Sequence, residues 1–253
     1  MLEAKKPEWL RVRPPSGENY VHLKGLVRSL GLHTVCAEAH CPNVGECWGG
    51  GTATVMLMGD VCTRGCRFCA VASGNPRGIL DLDEPTRVAM ALSELDLRYV
   101  VLTSVDRDYP PDGGAGHIAR TVREIRARRP DVPVEALIPD FQGDLDAVRV
   151  VVEAGVDVLG HNVETVERLQ ATVRDPRANY RQSLRVLEET KQMHDGLYTK
   201  SSIMLGLGES QDEVEQVLRD LRQAGCDRIT IGQYLQPGRD QLPVARKVQE
   251  AAY

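Results

Sequence analysis

The sequence lacks any apolar run that approaches the roughly 20 residues needed to cross a bilayer. One of its longer runs, Val88–Leu92, is far too short. The segment Met1–Glu8 lacks the apolar core of a signal peptide. The chain also lacks a basic excess, because its formal net charge is −5. We therefore expect a cytosolic (cytoplasmic) protein whose partners are neither membranes nor nucleic acids.

Length and composition are ordinary. The chain has 253 residues, of which 42% are hydrophobic and 26% charged, and this suits a globular protein of barrel size. From Thr52 onward, apolar segments that predict strands alternate with segments that predict helices. The predicted strands are 54–59, 98–104, 134–138, 156–159, 199–205 and 228–235. The predicted helices are 85–95, 116–129, 144–154, 165–170, 180–193 and 212–224, with a further short helix at 20–30 before the alternation begins.

This alternation predicts βαβ units and a parallel sheet. A doubly wound sheet is the alternative, but it would need a Gly-rich dinucleotide turn after its first strand. The sequence has Cys62–Cys69 there instead. We therefore expect an α/β fold, a partial (β/α)6 TIM-type barrel over residues 54–253, preceded by a cysteine-rich N-terminal extension over residues 1–53.

Seven cysteines are unevenly placed, because six of them lie in one N-terminal window and only Cys226 stands apart. Three of the six form the pattern Cys62-x3-Cys66-x2-Cys69, just after the first predicted barrel strand, where barrel enzymes place their chemistry. Three thiolates on one loop can bind three corners of a cubane iron–sulfur cluster and leave the fourth iron open. The alternatives are unliganded thiols or a zinc site, although a structural zinc ion takes four ligands. Phe68 would give an apolar face beside the third ligand.

The second trio is Cys36-x4-Cys41-x5-Cys47. A zinc knuckle or buried core cysteines are the alternatives, but the surrounding Pro42, Gly45 and Glu46 suit a metal loop better. Two trios, each one ligand short, predict two clusters. Cys226 precedes a predicted strand, and we expect it to be a small buried apolar side chain.

The first trio, with Phe68 before its last cysteine, resembles the radical S-adenosylmethionine superfamily. Both trios together resemble the lipoyl synthase family, and the likeness covers nearly the whole chain from about Trp9. The further segments that carry it are Gly51–Met56, Thr103–Asp108, Asp112–Ala115, Pro139–Phe141, His161–Glu164, Thr199–Ser201, Gly206–Glu209, Gly232–Pro237 and Leu242–Arg246.

The resemblance implies two 4Fe–4S clusters and S-adenosylmethionine as cofactors. Cys62, Cys66 and Cys69 would hold the catalytic cluster, whose electron releases a 5′-deoxyadenosyl radical. Cys36, Cys41 and Cys47 would hold an auxiliary cluster that gives its sulfur to carbons C6 and C8 of a protein-bound octanoyl-lysine. The implied partners are octanoylated lipoyl carrier domains (2-oxoacid dehydrogenase acyltransferase subunits and the glycine cleavage H protein) and an electron donor such as flavodoxin or ferredoxin. A different radical enzyme, with an auxiliary cluster that is not consumed, is one alternative. A non-enzymatic iron–sulfur or zinc-binding module on a decayed scaffold is another.

Polar residues near the ends of three predicted strands are candidates for contacts to S-adenosylmethionine. Together with Phe68, these are Thr103, Ser104, Asp106, Asn162, Glu164 and Lys200. For most of the polar ones a structural role is the alternative: a cap for Asn162, a loop cap for Thr103, Ser104 and Asp106, and an ion pair for Lys200. The glycines of Gly113-Gly114 and Gly206-Leu-Gly208 predict tight turns or close approaches of the backbone.

One departure from the family concerns the C-terminal end. Lipoyl synthases usually continue to an Arg-Ser-Ser-Tyr motif whose serine is the fourth ligand of the auxiliary cluster, and this sequence has no such motif before Tyr253. Three explanations are open: the sequence is a fragment, its reading frame ends early, or water, a thiol or another residue ligates the fourth iron. The hypothesis that the sequence alone suggests is radical generation with impaired sulfur insertion.

Overall fold

The computed structural model describes residues 18–35 and 44–248. Cys36 and Cys41 therefore lie outside the described residues. The helices are α1 Glu18–Ser29, α2 Val44–Gly49, α3 Glu84–Ser93, α4 Ala115–Arg128, α5 Leu145–Val152, α6 Gln170–Val173, α7 Tyr180–Met193 and α8 Gln211–Gln223. The strands are β1 His33–Thr34, β2 Thr52–Leu57, β3 Val61–Cys62, β4 Ala72–Ser73, β5 Tyr99–Ser104, β6 Val134–Leu137, β7 Val158–Gly160, β8 Tyr198–Leu205 and β9 Arg228–Gln233.

Seven of these strands form one sheet in the order β1-β2-β5-β6-β7-β8-β9. The strands β2 and β5 to β9 are parallel and follow one another in chain order. A doubly wound sheet would reverse its strand order at a switch point, and this sheet does not. The partial (β/α)6 barrel is therefore confirmed, with each predicted barrel strand within about three residues of its observed bounds.

The strands β8 and β9 form the last pair of the barrel, and β8 shows why its residues form a strand. Its buried and less buried side chains alternate, as expected for a strand with two different faces. The buried Ile203 and Leu205 pack in one apolar cluster with Val214 and Leu221 of α8. That helix begins with a capping box between Ser210 and Glu213, which satisfies backbone N–H groups at its start.

The described part of the N-terminal extension packs directly on the barrel. Strand β1 pairs antiparallel with β2, with His33 opposite Met56. Trp48 of α2 is buried in the same apolar core as the barrel strands, and its ring lies 5.2 Å from that of Tyr20 in α1. The sequence did not predict the short strands β1, β3 and β4. The division into an extension and a barrel domain stays a prediction.

The residues after β9, which we call the closing segment (residues 234–248), return across the carboxyl ends of the strands. The backbone N–H of Leu242 donates to the carbonyl of Arg67 at 3.0 Å, and that of Ala245 to the carbonyl of Gly206 at 2.8 Å. Gly206 has φ +101°, and a Cβ there would lie 2.5 Å from the carbonyl oxygen of Arg246. The close approach predicted for this glycine motif is therefore present at Gly206.

The described residues include no helix long and apolar enough to span a membrane.

Replacing Gly206 by Ala should destabilise the fold more than the same change at Gly208. Gly208 has a similar φ of +108°, but a Cβ there would meet nothing within 4 Å. Gly208→Ala should therefore lower the free energy of unfolding only by the cost of a side chain in left-handed backbone, about 1–2 kcal/mol. Gly206→Ala should cost a further ~1–3 kcal/mol for the clash with the closing segment. Urea denaturation of both variants measures the difference, and equal losses would contradict the close packing.

Candidate active site

A cavity of about 330 Å³ opens at the carboxyl ends of the barrel strands. Nine of the predicted site residues line it. They are Cys62, Cys66, Phe68, Cys69, Thr103, Ser104, Asp106, Asn162 and Glu164. Parallel strands in chain order bring their carboxyl ends to one edge, which is why residues more than 100 positions apart meet here.

The cysteine loop, residues 62–69, forms one wall of this cavity. The backbone N–H groups of Arg64 and Asp106 point at the Sγ of Cys62, at 3.4 and 3.3 Å. The N–H of Asp175 points at the Sγ of Cys66 at 3.3 Å. These donors favour the thiolate, but burial is the larger effect and raises the pKa of Cys66 to about 12. Burial also raises the pKa of Cys62 and Cys69, so these thiols are protonated until a metal displaces their protons.

Arg64 lies between the first two cysteines, with its side chain only 3% exposed. Its guanidinium contacts three carboxylates from neighbouring loops, with nearest distances of 3.3 Å to Asp106, 2.9 Å to Asp108 and 2.6 Å to Asp140. Burial alone would lower the pKa of Arg64, but hydrogen bonds to Asp140 and the charge of Asp106 outweigh burial and raise it. Burial raises the pKa of Asp106 to about 6, against the attraction of Arg64.

A second arginine extends the same network. Arg177 donates to Asp108 and Asp175 at 2.9 and 2.8 Å, and to the carbonyl of Thr63 at 2.7 Å. Asp175 in turn accepts the N–H of Gly65 at 2.8 Å. Alternating charges therefore tie the cysteine loop to the loops that follow β5, β6 and α6.

Arg174 lies on the cavity wall and is 7% exposed. Its Nη1 donates to Ser183 at 2.9 Å and to Gln170 at 3.3 Å. Ser183 also contacts the Nε2 of His161 at 2.9 Å, and the Nδ1 of His161 contacts the carbonyl of Ile138. A carbonyl only accepts, so Nδ1 carries the proton and Nε2 accepts from Ser183. Burial and the charge of Arg174 lower the pKa of His161 to about 4, which keeps it neutral.

The sequence did not predict Arg174, Ser183 or Gln170 as site residues. A buried arginine in a polar stretch has no sequence signal of its own. The adjacent Asp175 and nearby Arg177, however, mark this stretch as a charged loop between two helices.

Glu164 also lines the cavity. Its backbone has φ +65°, an unusual conformation for a residue with a side chain. Strand-like bonds hold its backbone, since its N–H donates to Ser202 and its carbonyl accepts from Met204. The amide of Asn162 donates to its carboxylate at 3.1 Å. Burial raises the pKa of Glu164, against the attraction of Arg174. Strain of this kind concentrates at functional sites.

Two polar atoms on the cavity wall are buried without a hydrogen-bond partner, the Oγ of Ser104 and the Nε of Arg174. Buried polar groups rarely stay unpaired, so these atoms fit a polar ligand. The thiols beside them, with amides aimed at two of the sulfurs, have the donor chemistry of an iron–sulfur cluster. Among residues 18–35 and 44–248, no three Cys, His, Asp or Glu side chains converge as ligands of a single metal ion.

Lys200 is not brought to this cavity. It lies near the amino end of β8, where its Nζ donates to both oxygens of Glu135 at 2.9 and 3.0 Å. The hydroxyl of Tyr99 donates to the same carboxylate at 2.9 Å. Of the second cysteine trio, Cys47 is described, and it packs against the barrel core on α2 beside Trp48.

A profile described as "Radical SAM superfamily" matches residues 56–221. The chain also shares its fold with a solved structure, Streptococcus suis SuiB bound to S-adenosylmethionine. The TM-score is 0.61 at 10% identity over 81% of this chain and 47% of that one. The barrel with its cysteine loop therefore belongs to the radical S-adenosylmethionine superfamily.

A second profile, the "N-terminal domain of lipoyl synthase of Radical_SAM family", matches residues 2–41. The lipoyl synthase of Thermus thermophilus is 56% identical over 98% of this chain and 76% of its own length. That of Sorangium cellulosum is 55% identical over 98% of this chain and 70% of its own length. The chain belongs to the lipoyl synthase family.

Replacing Ser183 by Ala should destabilise the protein, because the fully buried hydroxyl links Arg174 to His161. Losing it leaves two buried nitrogens without this partner, at a cost of about 1–3 kcal/mol. The matched change Ser93→Ala removes an exposed hydroxyl bonded to a carbonyl in its own helix and should cost less than about 0.5 kcal/mol. Urea unfolding measures the loss of stability in both variants. An unchanged free energy of unfolding in Ser183→Ala would contradict the role of this hydroxyl in linking Arg174 to His161.

Proposed function

We propose that this chain inserts sulfur at C6 and C8 of a protein-bound octanoyl-lysine and so makes a lipoyl group. Two C–H bonds are replaced by C–S bonds, and the product gains two sulfur atoms and loses two hydrogens. The observation that carries the proposal is the placing of three half-buried cysteines on the wall of a cavity at the carboxyl end of the barrel. Family membership at 56% identity supports this reaction over a radical enzyme with another substrate, and over the impaired sulfur insertion that the sequence alone predicts.

Cys62, Cys66 and Cys69 would hold the catalytic 4Fe–4S cluster. When bound, this cluster supplies the electron that cleaves S-adenosylmethionine to a radical able to attack an alkyl C–H bond. The protein's own part is to present three thiolates, to aim N–H groups at two of their sulfurs and to keep water away.

The charged side chains that line the cavity are complementary to the charged groups at the methionine end of S-adenosylmethionine. Arg174 lines the cavity and is 7% exposed, so its guanidinium charge is placed to attract the carboxylate of S-adenosylmethionine. The carboxylates of Glu164 and Asp106 are acceptors for its amino group and ribose hydroxyls. Thr103 and Ser104 offer hydroxyls beside them, and Phe68 offers a flat apolar face.

Apolar side chains also line the cavity and suit an alkyl chain. These apolar side chains include Val35, Met56, Val71, Leu137 and Pro237. Met56, Thr103 and Leu137 pair in register on neighbouring strands, so apolar and polar lining residues meet in a single layer. An octanoyl chain lying on this surface would be held next to the cysteine loop without any hydrogen bond of its own.

Cys36, Cys41 and Cys47 would hold the auxiliary cluster that donates sulfur. The buried ring of Trp48 fixes α2, and therefore the backbone of Cys47, against the barrel. The substrates would be lipoyl carrier domains of 2-oxoacid dehydrogenases and of the glycine cleavage H protein, with flavodoxin or ferredoxin as reductant. A compartment that keeps thiols reduced, such as the cytosol, suits cysteines that would hold clusters.

Iron analysis tests both cluster sites. The anaerobically reconstituted chain should hold about eight irons, falling to about four when either cysteine trio is changed to Ala. Each trio variant should also lose lipoyl formation from an octanoylated carrier domain, measured by mass spectrometry. Cys226→Ala is the control and should keep both, since that thiol bonds to the carbonyl of Arg228 away from the cavity. Full iron content without Cys62, Cys66 and Cys69 would refute the proposal.

Arg174→Gln should weaken S-adenosylmethionine binding without lowering iron content. Loss of a charged hydrogen bond costs about 1.5–3 kcal/mol, or roughly 10- to 100-fold in affinity. Arg168→Gln is the matched control, because Arg168 is 57% exposed and pairs with Glu213. Equilibrium dialysis of the cluster-loaded protein gives both affinities. If Arg174→Gln binds S-adenosylmethionine with unchanged affinity, Arg174 does not contribute to binding this cofactor.

A further inference from the structure

We propose that Arg64 is a positioning residue that holds the cysteine loop in its cluster-binding shape by joining it to the loops after β5 and β6. The inference rests on the proposed cluster site, and Arg64 itself does not ligate iron or contact substrate. Its role would be to fix the backbone around Cys62 and Cys66 before and after the cluster binds.

The contacts of Arg64 use the fork shape of the guanidinium. Nη1 and Nη2 donate to the two oxygens of Asp140 at 2.9 and 2.6 Å. Nη2 and Nε donate to Asp108 at 2.9 and 3.2 Å, and Nε lies 3.3 Å from Asp106. A lysine at this position keeps the charge, but its single ammonium group cannot make the paired contacts in the same plane.

The partners of Arg64 are themselves fixed, so the network does not simply follow a flexible loop. Asp140 has a side chain with 0% exposure and accepts the N–H of Gln142 at 3.0 Å. Asp108 also accepts from the Nη1 of Arg177, outside the cysteine loop, at 2.9 Å. Each of these carboxylates therefore bonds to Arg64 and to a second, independent group.

The same contacts place two of the N–H groups that face sulfur. The side chain of Arg64 is anchored at Asp140, and its own backbone N–H points at the Sγ of Cys62. Asp106 contacts the guanidinium through its carboxylate and donates its backbone N–H to the same sulfur. Hydrogen bonds to cluster sulfurs tune the electronic properties of the cluster, so a displaced Arg64 should change the cluster as well as the fold.

The test compares Arg64→Lys and Asp140→Asn with Glu135→Gln, in chains where Cys36, Cys41 and Cys47 are changed to Ala so that one cluster is observed. Glu135→Gln disrupts the ion pair with Lys200, neither member of which lines the cavity, and serves as the control for loss of stability alone. We measure iron per chain after reconstitution, the electron paramagnetic resonance spectrum of the reduced cluster, and the rate of iron loss to a chelator. Circular dichroism establishes that each variant is folded.

Arg64→Lys should lose iron to the chelator about 10- to 100-fold faster than the parent, the range typical when an outer partner of a metal ligand is removed. Its spectrum should also shift, while Glu135→Gln keeps the parent's spectrum and rate. Asp140→Asn should move in the same direction as Arg64→Lys, which tests the pairing if one of the two variants fails to fold.

Two results would overturn the inference while leaving the proposed function intact. One is an Arg64→Lys chain with the parent's spectrum and iron-loss rate, because the fork would then be unnecessary. The other is a Glu135→Gln chain that changes as much as Arg64→Lys does. A further variant, Cys62→Ala, separates the two claims, because full iron content in that chain would refute the cluster site and the inference together.

Discussion

The constraint on which this structure depends is the parallel order of its six barrel strands. Strands that run the same way in chain order bring all their carboxyl ends to one edge. The loops after β2, β5, β6 and β7 therefore meet, although they are far apart in sequence. Once they meet, a few charged side chains suffice to lock them together. The cysteine loop is the element that gains most from this, because it has little regular structure of its own.

Ion pairs between charged side chains hold these loops together. The free-energy cost of burying a charge explains how these side chains are arranged. Burying an unpaired charge is expensive, yet this end of the barrel buries Arg64, Arg174, Asp140 and Asp175. The cost is met by alternation, since each buried cation lies between carboxylates or polar groups of neighbouring loops. The exceptions belong to two residues that line the cavity, the Oγ of Ser104 and the Nε of Arg174, which have no hydrogen-bond partner. Their unmet hydrogen-bonding capacity marks where a polar ligand fits.

Much of this could be predicted from the sequence, because strand periodicity and cysteine spacing are local signals. They predict the six strands and bring nine candidate residues to one cavity. Lys200 shows that a residue type alone does not predict a site residue, because the sequence does not say toward which neighbours the side chain points. It stands near the beginning of β8, five residues before its end at Leu205, and its side chain pairs with Glu135 of β6 and is not part of the cavity lining. Arg174 and Ser183 lay beyond prediction because their partners come from other elements, a tertiary relation that no local pattern encodes.

The position of Lys200 nevertheless helps to explain the cavity. Its pair with Glu135, joined by Tyr99, lies at the amino end of the barrel interior. Gly160, between these strands, has no side chain, and a Cβ there would approach Leu137 at 3.3 Å and Glu135 at 3.7 Å. The missing side chain leaves room for Leu137 to line the cavity floor and for the ion pair beneath it. The barrel interior thus holds a polar group of Lys200, Glu135 and Tyr99 outside the cavity lining. Polar and apolar side chains both line the cavity itself. An apolar substrate chain and a polar cofactor can then share one opening, next to the only loop that carries three cysteines among the described residues.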